Sequence, residues 1–425
     1  MLKKETFTEK LCIFPIVLYL IQSFLVDYTV FYVIAIVALL YMVFRNNLKI
    51  PRIYIENYNL LIYYVLLMIF MAVPYMYNLR DIIRDLFYIT GPIIVMAIGY
   101  FYYYLYGSKK NLVYTICLVA AVFSVLNFIK AAASFEGFKS VRLALSNHIQ
   151  LVSIAFAIAL FDWFYKKNKI DSTKNILLSV LFVSNLIICL SRGIIVASFG
   201  ALILALINIA FSLKGNFLNQ KYFTWLICVV VFLIVLVIVL FSVLPANITA
   251  EFTSKLEKSF TEISSKQTFS TSAEIVDNWR GYEVYKAKEM FKNGNIIQQV
   301  LGFGAGKQIS VPELANLYEG LYKEGTTPLL HNGFYTVLIK GGLLGVAFYI
   351  LFFAKTIYLN IFKKRTSYED VLLTYLLVSV FLQTYIIRGL VEQMINFWWC
   401  FLVGWISARK VLGEEYKNNA KNRLV

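Results

Sequence analysis

Charge is scarce in this chain. Of its 425 residues, 15% are Asp, Glu, Lys or Arg, where an ordinary soluble domain carries about 25%. Apolar residues make up 60%, aromatic residues 17%, and the mean hydropathy is +0.70. Too little polar side chain remains to coat a soluble globule, so that class is excluded. Cysteine is equally sparse: Cys12, Cys117, Cys189, Cys228 and Cys400 stand singly within apolar runs. With no CxxC pair and no ligand spacing, they read as apolar filler, not as a metal site or a disulfide framework. There are two histidines, His148 and His331, so any imidazole chemistry rests on one or both.

What fills the chain instead is a series of apolar runs of bilayer-spanning length, each about 17–25 residues. They fall near 11–26, 28–44, 58–76, 83–106, 112–129, 148–165, 175–190, 194–212, 222–244, 331–360, 369–387 and 393–409. The expected fold is an all-α polytopic membrane protein of about twelve transmembrane helices. Lys3 and Lys4 before the first run resemble a secretory signal, but no small-residue cleavage site follows, so this run is expected to stay as the first span.

The net charge of +16 raises the question of nucleic acid, and its distribution answers it. With the N-terminus inside, 23 Lys and Arg fall in inner segments and seven in the short outer ones: Arg80, Arg84, Lys130, Lys139, Arg142, Arg192 and Arg388. The positive-inside rule selects this orientation, with both termini cytoplasmic. The basic charge is spread over many inner loops with no concentrated patch, so no nucleic-acid partner is expected.

One outer connection breaks the rhythm. Residues 245–329 divide the chain into transmembrane helices over 1–244, an extracytoplasmic loop, and further helices with a cytoplasmic tail over 330–425. A connection this long is functional or disordered. Trp279, Tyr282, Tyr285, Met290 and Phe291 recur at near-helical spacing, and Gly302, Gly304 and Gly306 follow, so a small helical cap is expected, with a mobile Ser/Thr/Lys-rich part before it.

The residue types on the outer face are informative. Five of the seven short-loop positives there are arginine, and the loop adds Arg280, whereas 18 of the 23 inner ones are lysine. Topology needs only charge, but a planar guanidinium grips phosphate or carboxylate with two parallel hydrogen bonds. The asymmetry points to an anionic ligand at the outer interface; snorkelling to lipid headgroups is the competing reading. Arg192 lies in a turn of two or three residues, Arg142 precedes Asn147 and His148, and Arg280 opens the loop helix with Glu283 or Glu274 as its expected structural partner. His331 and Asn332 open a span between loop and membrane, where an imidazole could act as a general base. Gly342 and Gly345 read as helix-packing positions. Lys340 is an intramembrane charge that could be functional or snorkel outward. Asp27, Asp81, Asp162 and Glu392 all lie at span ends, and neither an inverted repeat nor a midplane charge pair is visible. A coupled transporter would be expected to have these.

The chain resembles the O-antigen ligase and O-antigen polymerase superfamily of bacterial envelope glycosyltransferases. The resemblance covers most of the chain in architecture. Its most specific local part is His331-Asn332, then nine residues, Gly342, two residues and Gly345, which looks like the ligase histidine motif. The Arg142 to Asn147 segment, Ser191 to Gly193, and the Arg280 helix followed by the Gly302 to Gly306 turn agree in order.

The resemblance implies a GT-C-like membrane enzyme in the bacterial cytoplasmic membrane that inverts the anomeric carbon. It would transfer glycan from undecaprenyl diphosphate to an acceptor glycan or glycolipid on the outer face, among membrane lipids and with a possible chain-length regulator. The expected catalytic set is His331, Arg192 and Arg280, with Arg142, Asn147, Arg388, Asn332, Tyr282 and Arg84 binding substrate. No cofactor and no metal are expected, because arginines can take the charge of the leaving diphosphate and no acidic ligand cluster for magnesium is visible outside. Polymerase and ligase share the donor. The histidine motif leans towards ligase, while a loop with nine Lys and Arg against ten Asp and Glu offers no basic platform for lipid A core. The reading adopted is an O-antigen or capsule-type polymerase; ligase is the alternative, and a lipid-linked oligosaccharide flippase is a third class.

Overall fold

The computed structural model describes residues 12–25, 28–49, 53–107, 111–133, 148–165, 172–189, 191–212, 269, 271–315, 323–361, 367–392 and 396–422, with 242, 250 and 253. Helices α1 (Ile13–Phe24), α2 (Tyr28–Arg45), α3 (Tyr58–Ala72), α4 (Leu79–Tyr106), α5 (Leu112–Ala133), α6 (Ile149–Tyr165), α7 (Ser172–Ile188) and α8 (Arg192–Ser212) come first. The long connection contributes α9 (Ser272–Asp277), α10 (Trp279–Asn293), α11 (Ile296–Leu301), α12 (Pro312–Ala315) and a two-stranded antiparallel ribbon, β1 (Ile309–Ser310) with β2 (Thr326–Thr327). Helices α13 (Gly333–Ile361), α14 (Tyr368–Ile386) and α15 (Phe397–Asn422) close the chain.

Among the described residues, α3 with its 3-10 extension, α4, α5, α13 and α14 are long and apolar enough to cross a membrane, and α1, α2, α6, α7 and α8 are shorter apolar helices. The protein is an all-α polytopic membrane protein. Helices suit these apolar runs because each satisfies its own backbone hydrogen bonds where lipid offers none. Eleven expected spans coincide with helices; the one over 222–244 and the Ser/Thr/Lys-rich start of the loop lie outside the described residues.

Small residues set the closest helix pair. A Cβ on Gly404 of α15 would stand 1.8 Å from the Met96 carbonyl oxygen of α4, and one on Gly99 would stand 2.0 Å from that of Phe401. Without Cβ atoms at these two points the backbones can touch, as membrane helix packing favours. At one end of the bundle, Lys410 meets Asp370 at 2.8 Å and Arg409 meets Glu369 at 3.1 Å. The loop elements cover the other end with a core of their own, built on Ile275, Tyr282, Ala287, Phe303, Ile309 and Leu314.

The loop also enters the bundle. The amides of Phe303, Gly304 and Ala305 donate to the carbonyls of Ile339, Lys340 and Met68 at 2.8, 3.0 and 3.0 Å. Helix α13 makes this possible by breaking at Gly342, whose φ of 63° and ψ of −163° leave the helical region. A Cβ on Gly342 would lie 2.4 Å from the Gly302 amide nitrogen, and one on Gly302, at φ 86°, would lie 2.4 Å from the Lys340 carbonyl oxygen. Gly342 is therefore a break that receives the loop; the expectation of simple helix packing fits Gly341 and Gly345 instead, where a Cβ would strike the Tyr64 ring.

Beside this junction lies a charge pair that the sequence reading did not anticipate. Lys340 Nζ donates to Asp85 Oδ2 at 2.5 Å, with both side chains 1% exposed, so Lys340 does not snorkel. Its ammonium also donates to the Lys307 carbonyl, and the Gly306 amide donates to Asp85 Oδ2 at 2.7 Å. Asp85 is six residues into α4, about 9 Å along a helix some 42 Å long, so the pair sits towards the loop end and not at the midplane. Its partners are the loop's own backbone, which makes it a clasp between loop and bundle.

Candidate active site

The first turn of α10 and the segment before α13 meet to form the site. Asn278 caps α10 by accepting from the Gly281 amide at 3.1 Å, and Gly281 is needed there because a Cβ would lie 2.4 Å from the Asn278 side-chain oxygen. This cap fixes Trp279, Arg280 and Glu283 on the opening turns. Glu283 is fully buried. Its Oε2 accepts from the His331 backbone amide at 2.9 Å, and both carboxylate oxygens stand 3.2 Å from His331 Nδ1.

Trp279 packs edge-on against the imidazole, with ring centroids 4.3 Å apart, and the Arg280 guanidinium lies 5.2 Å from the Trp279 ring centroid. The chain around His331 is held by its neighbours: Thr336 Oγ1 accepts from the Leu330 amide at 2.9 Å, and Asn332 Oδ1 accepts from the Phe334 amide at 3.1 Å. Arg388 comes from the segment after α14, where its carbonyl oxygen packs so closely on Gly333 that a Cβ there would approach to 2.4 Å.

Electrostatically the imidazole is poised to be neutral. Burial pushes its pKa below the ordinary value; the Glu283 hydrogen bond and charge oppose that, and Arg388 and Arg280 reinforce it. A neutral ring beside a carboxylate carries its proton on Nδ1, donating to Glu283. The lone pair then sits on Nε2, which has no partner among the described residues. This assignment of the tautomer rests on the hydrogen-bond pattern. A carboxylate that orients a histidine for proton abstraction is the arrangement of a general base with its orienter.

The structure thus gathers His331, Arg280, Arg388 and Asn332, and adds Glu283 and Trp279. Sequence reasoning named Glu283 only as a structural partner for Arg280, with Glu274 as the other choice. Other expected residues fall elsewhere. Tyr282 is 2% exposed and packed into the loop core. Arg84 pairs with Asp81 at 2.9 Å and Asp85 at 3.5 Å, so it belongs with the clasp. Arg142 and Asn147 lie outside the described residues, and Arg192 is described only as the first residue of α8.

Residues 177–350 match the family model for O-antigen ligase. The match supports the O-antigen ligase and polymerase superfamily. No curated protein and no solved structure matches the chain. The matched segment runs from α7 through the break in α13, so it holds Arg192, Arg280, Glu283, His331, Lys340 and both Gly342 and Gly345. Arg388 and Asp85 lie beyond it, although the fold brings them to the same region. O-antigen ligase family proteins are glycosyltransferase-like membrane enzymes, and the family implies lipid-linked glycan substrates and surrounding membrane lipid.

Proposed function

We propose that this protein is an inverting glycosyltransferase that polymerises undecaprenyl-diphosphate-linked oligosaccharide units on the outer face of the bacterial cytoplasmic membrane. The observation that carries the reading is the Glu283–His331 pair, with its open Nε2, set beside Arg280 and Arg388. An acceptor hydroxyl gives its proton to His331 Nε2 while its oxygen forms a bond to the donor's anomeric carbon. The bond from that carbon to the phosphate oxygen breaks on the opposite face, and undecaprenyl diphosphate leaves with the electron pair. The growing imidazolium is stabilised by the buried Glu283 carboxylate, and the departing charge by the half-buried arginines, preorganised donors aimed at developing charge. The extracytoplasmic placement of the loop and the inner placement of both termini follow the positive-inside pattern and are part of the proposal.

Transfer to a different acceptor, as a ligase, is the second reading, favoured by the description of the matching family. Purified protein in vesicles, supplied with undecaprenyl-diphosphate oligosaccharide alone, separates the two. A ladder of lengthened products supports the polymerase. Products that form only when a second glycolipid acceptor is added support the ligase, and no product with either would overturn the transferase reading.

A further inference from the structure

Helix α11 belongs to the long connection, yet the side chains it leaves uncovered are aliphatic. Ile296 is 76% exposed, Ile297 55% and Val300 42%. Its two polar residues are spent inside the protein. Gln298 donates from Nε2 to Tyr75 Oη at 3.0 Å and accepts from the Asn295 amide through Oε1, while Gln299 Nε2 donates to the Gly294 carbonyl at 3.0 Å. A helix facing water does the opposite, packing its apolar side chains inward and exposing its polar ones. An aliphatic outer face, with the polar groups satisfied internally, is what lipid requires.

The height of α11 along the bundle agrees. It lies against α13 at the Gly342 break, where a Cβ on Gly342 would stand 2.5 Å from the Val300 carbonyl oxygen. From Gly342 to the end of α13 at Ile361 is about 20 residues, roughly 30 Å at the helical rise, which matches the thickness of a hydrocarbon core. Helix α3 with its 3-10 extension, Tyr58–Tyr75, runs for 18 residues, about 27 Å on the same rise. Two separate helices thus place Gly342 and Tyr75 at one boundary of the hydrocarbon, and α11 bridges them. Tyr75 stacks on Tyr77 with ring centroids 5.6 Å apart, and aromatic rings of this kind gather at the membrane interface. Phe70 and Val73 on the α3 side and Leu343 on the α13 side are exposed as well, so the aliphatic face of α11 continues the surface that the spans present to lipid.

We infer that α11 lies in the acyl-chain boundary of the leaflet on the loop side, with Ile296, Ile297 and Val300 in contact with lipid chains. This contact follows from the polytopic fold and stands apart from the glycosyltransferase reading. It also steadies the loop. Gln299 ties α11 to the C-terminal end of α10, and a Cβ on Gly294 between them would come within 2.9 Å of the Phe303 ring. Helix α10 is therefore joined closely to an element held in lipid, and that hold keeps its Glu283 carboxylate against His331.

Nitroxide labels on the full-length protein in phosphatidylcholine and phosphatidylglycerol vesicles test the contact without any substrate, so the result is independent of whether the protein transfers sugar. Oxygen concentrates in hydrocarbon and a neutral nickel chelate in water, and the ratio of their collision rates with the label reports which medium surrounds it. Ile297→Cys and Val300→Cys should give an oxygen-to-nickel ratio above one, as should Phe70→Cys on α3. Glu289→Cys on α10, where the side chain is 47% exposed, should fall below one. Labelled protein without an added cysteine supplies the background. Ratios below one at both Ile297 and Val300 would place α11 in water and overturn the inference. Low collision with both reagents would show that protein covers the face, a second copy or another part of the chain, and would overturn it equally. A second measurement uses the Val300→Cys label as reporter: adding Ile297→Asp should shift its ratio towards the nickel chelate, and adding Ile297→Leu should leave it unchanged. No shift with Ile297→Asp would also sink the lipid contact.

Discussion

His331 is where local geometry and chemistry coincide most closely. Its Nδ1 is committed to Glu283 and its pKa is held below the usual value by burial, so near neutral pH the ring is unprotonated and able to accept. His331→Ala should lower kcat by about 10² to 10⁴-fold, the range typical of a lost general base, with donor binding retained in a pull-down on lipid-linked oligosaccharide. Activity should fall as pH drops through a value below about 6.5, the ordinary histidine figure. Because Glu283 raises the imidazole pKa, Glu283→Gln should move that acid limb lower still and reduce the rate. A limb that moves upward would show that Glu283 does not act on His331 as described. Arg280→Lys and Arg388→Lys keep charge but lose the planar fork; each should cost at least about tenfold in kcat/KM, measured on protein whose thermal unfolding matches wild type. Of these residues, sequence reading reached His331 through its rarity and its place at a span end, and Arg280 and Arg388 through the arginine bias of the outer segments. Glu283 carried no such mark, because an acid one turn into a loop helix has many possible partners until the fold chooses one.

Helix α13 performs two tasks that its sequence reported unequally. Its apolar length was readable, and so was the spacing of Gly342 and Gly345 from His331. That Gly342 ends one helical stretch and admits a loop backbone was not readable, because it depends on Gly302 to Gly306 arriving from a distant part of the chain. The Asp85–Lys340 clasp was hidden for the same reason: the two residues are 255 positions apart, and Lys340 alone reads as a single intramembrane charge. Removing Lys340 leaves Asp85 buried with only the Gly306 amide and the Arg84 contact at 3.5 Å, a loss that costs up to about 3–5 kcal/mol. Lys340→Met should therefore destabilise strongly, and Asp85→Asn with Lys340→Met should recover most of that loss in a thermal melt of detergent-solubilised protein. If the double variant is no better than the single one, the pair is not the unit that holds the loop. Gly302→Ala should be as damaging as Lys340→Met, since its φ of 86° and the Lys340 carbonyl at 2.4 Å leave no room for a methyl group.

At the scale of the whole molecule, the loop and the bundle are one device. The bundle supplies Arg388, the loop supplies Arg280 and Glu283, and His331 stands at the seam with its amide and ring both tied to the loop carboxylate. Span positions were legible because lipid demands long apolar runs whatever the tertiary contacts; the seam was not, because it is made by pairs far apart in sequence. This arrangement has meaning for a lipid-linked substrate only if the long loop lies outside, as the positive-inside rule leads one to expect. Cysteine labelling decides that directly. In intact cells, an impermeant maleimide should reach Glu289→Cys, whose side chain is 47% exposed on α10, and should not reach Lys363→Cys. The native cysteines that the structure describes are buried, so labelling background at these sites should be low. Labelling of Lys363→Cys from outside, with Glu289→Cys protected, would invert the molecule. His331 and its arginines would then face the cytoplasm, away from any glycan assembled on the outer leaflet, and the transferase proposal would fail with the topology.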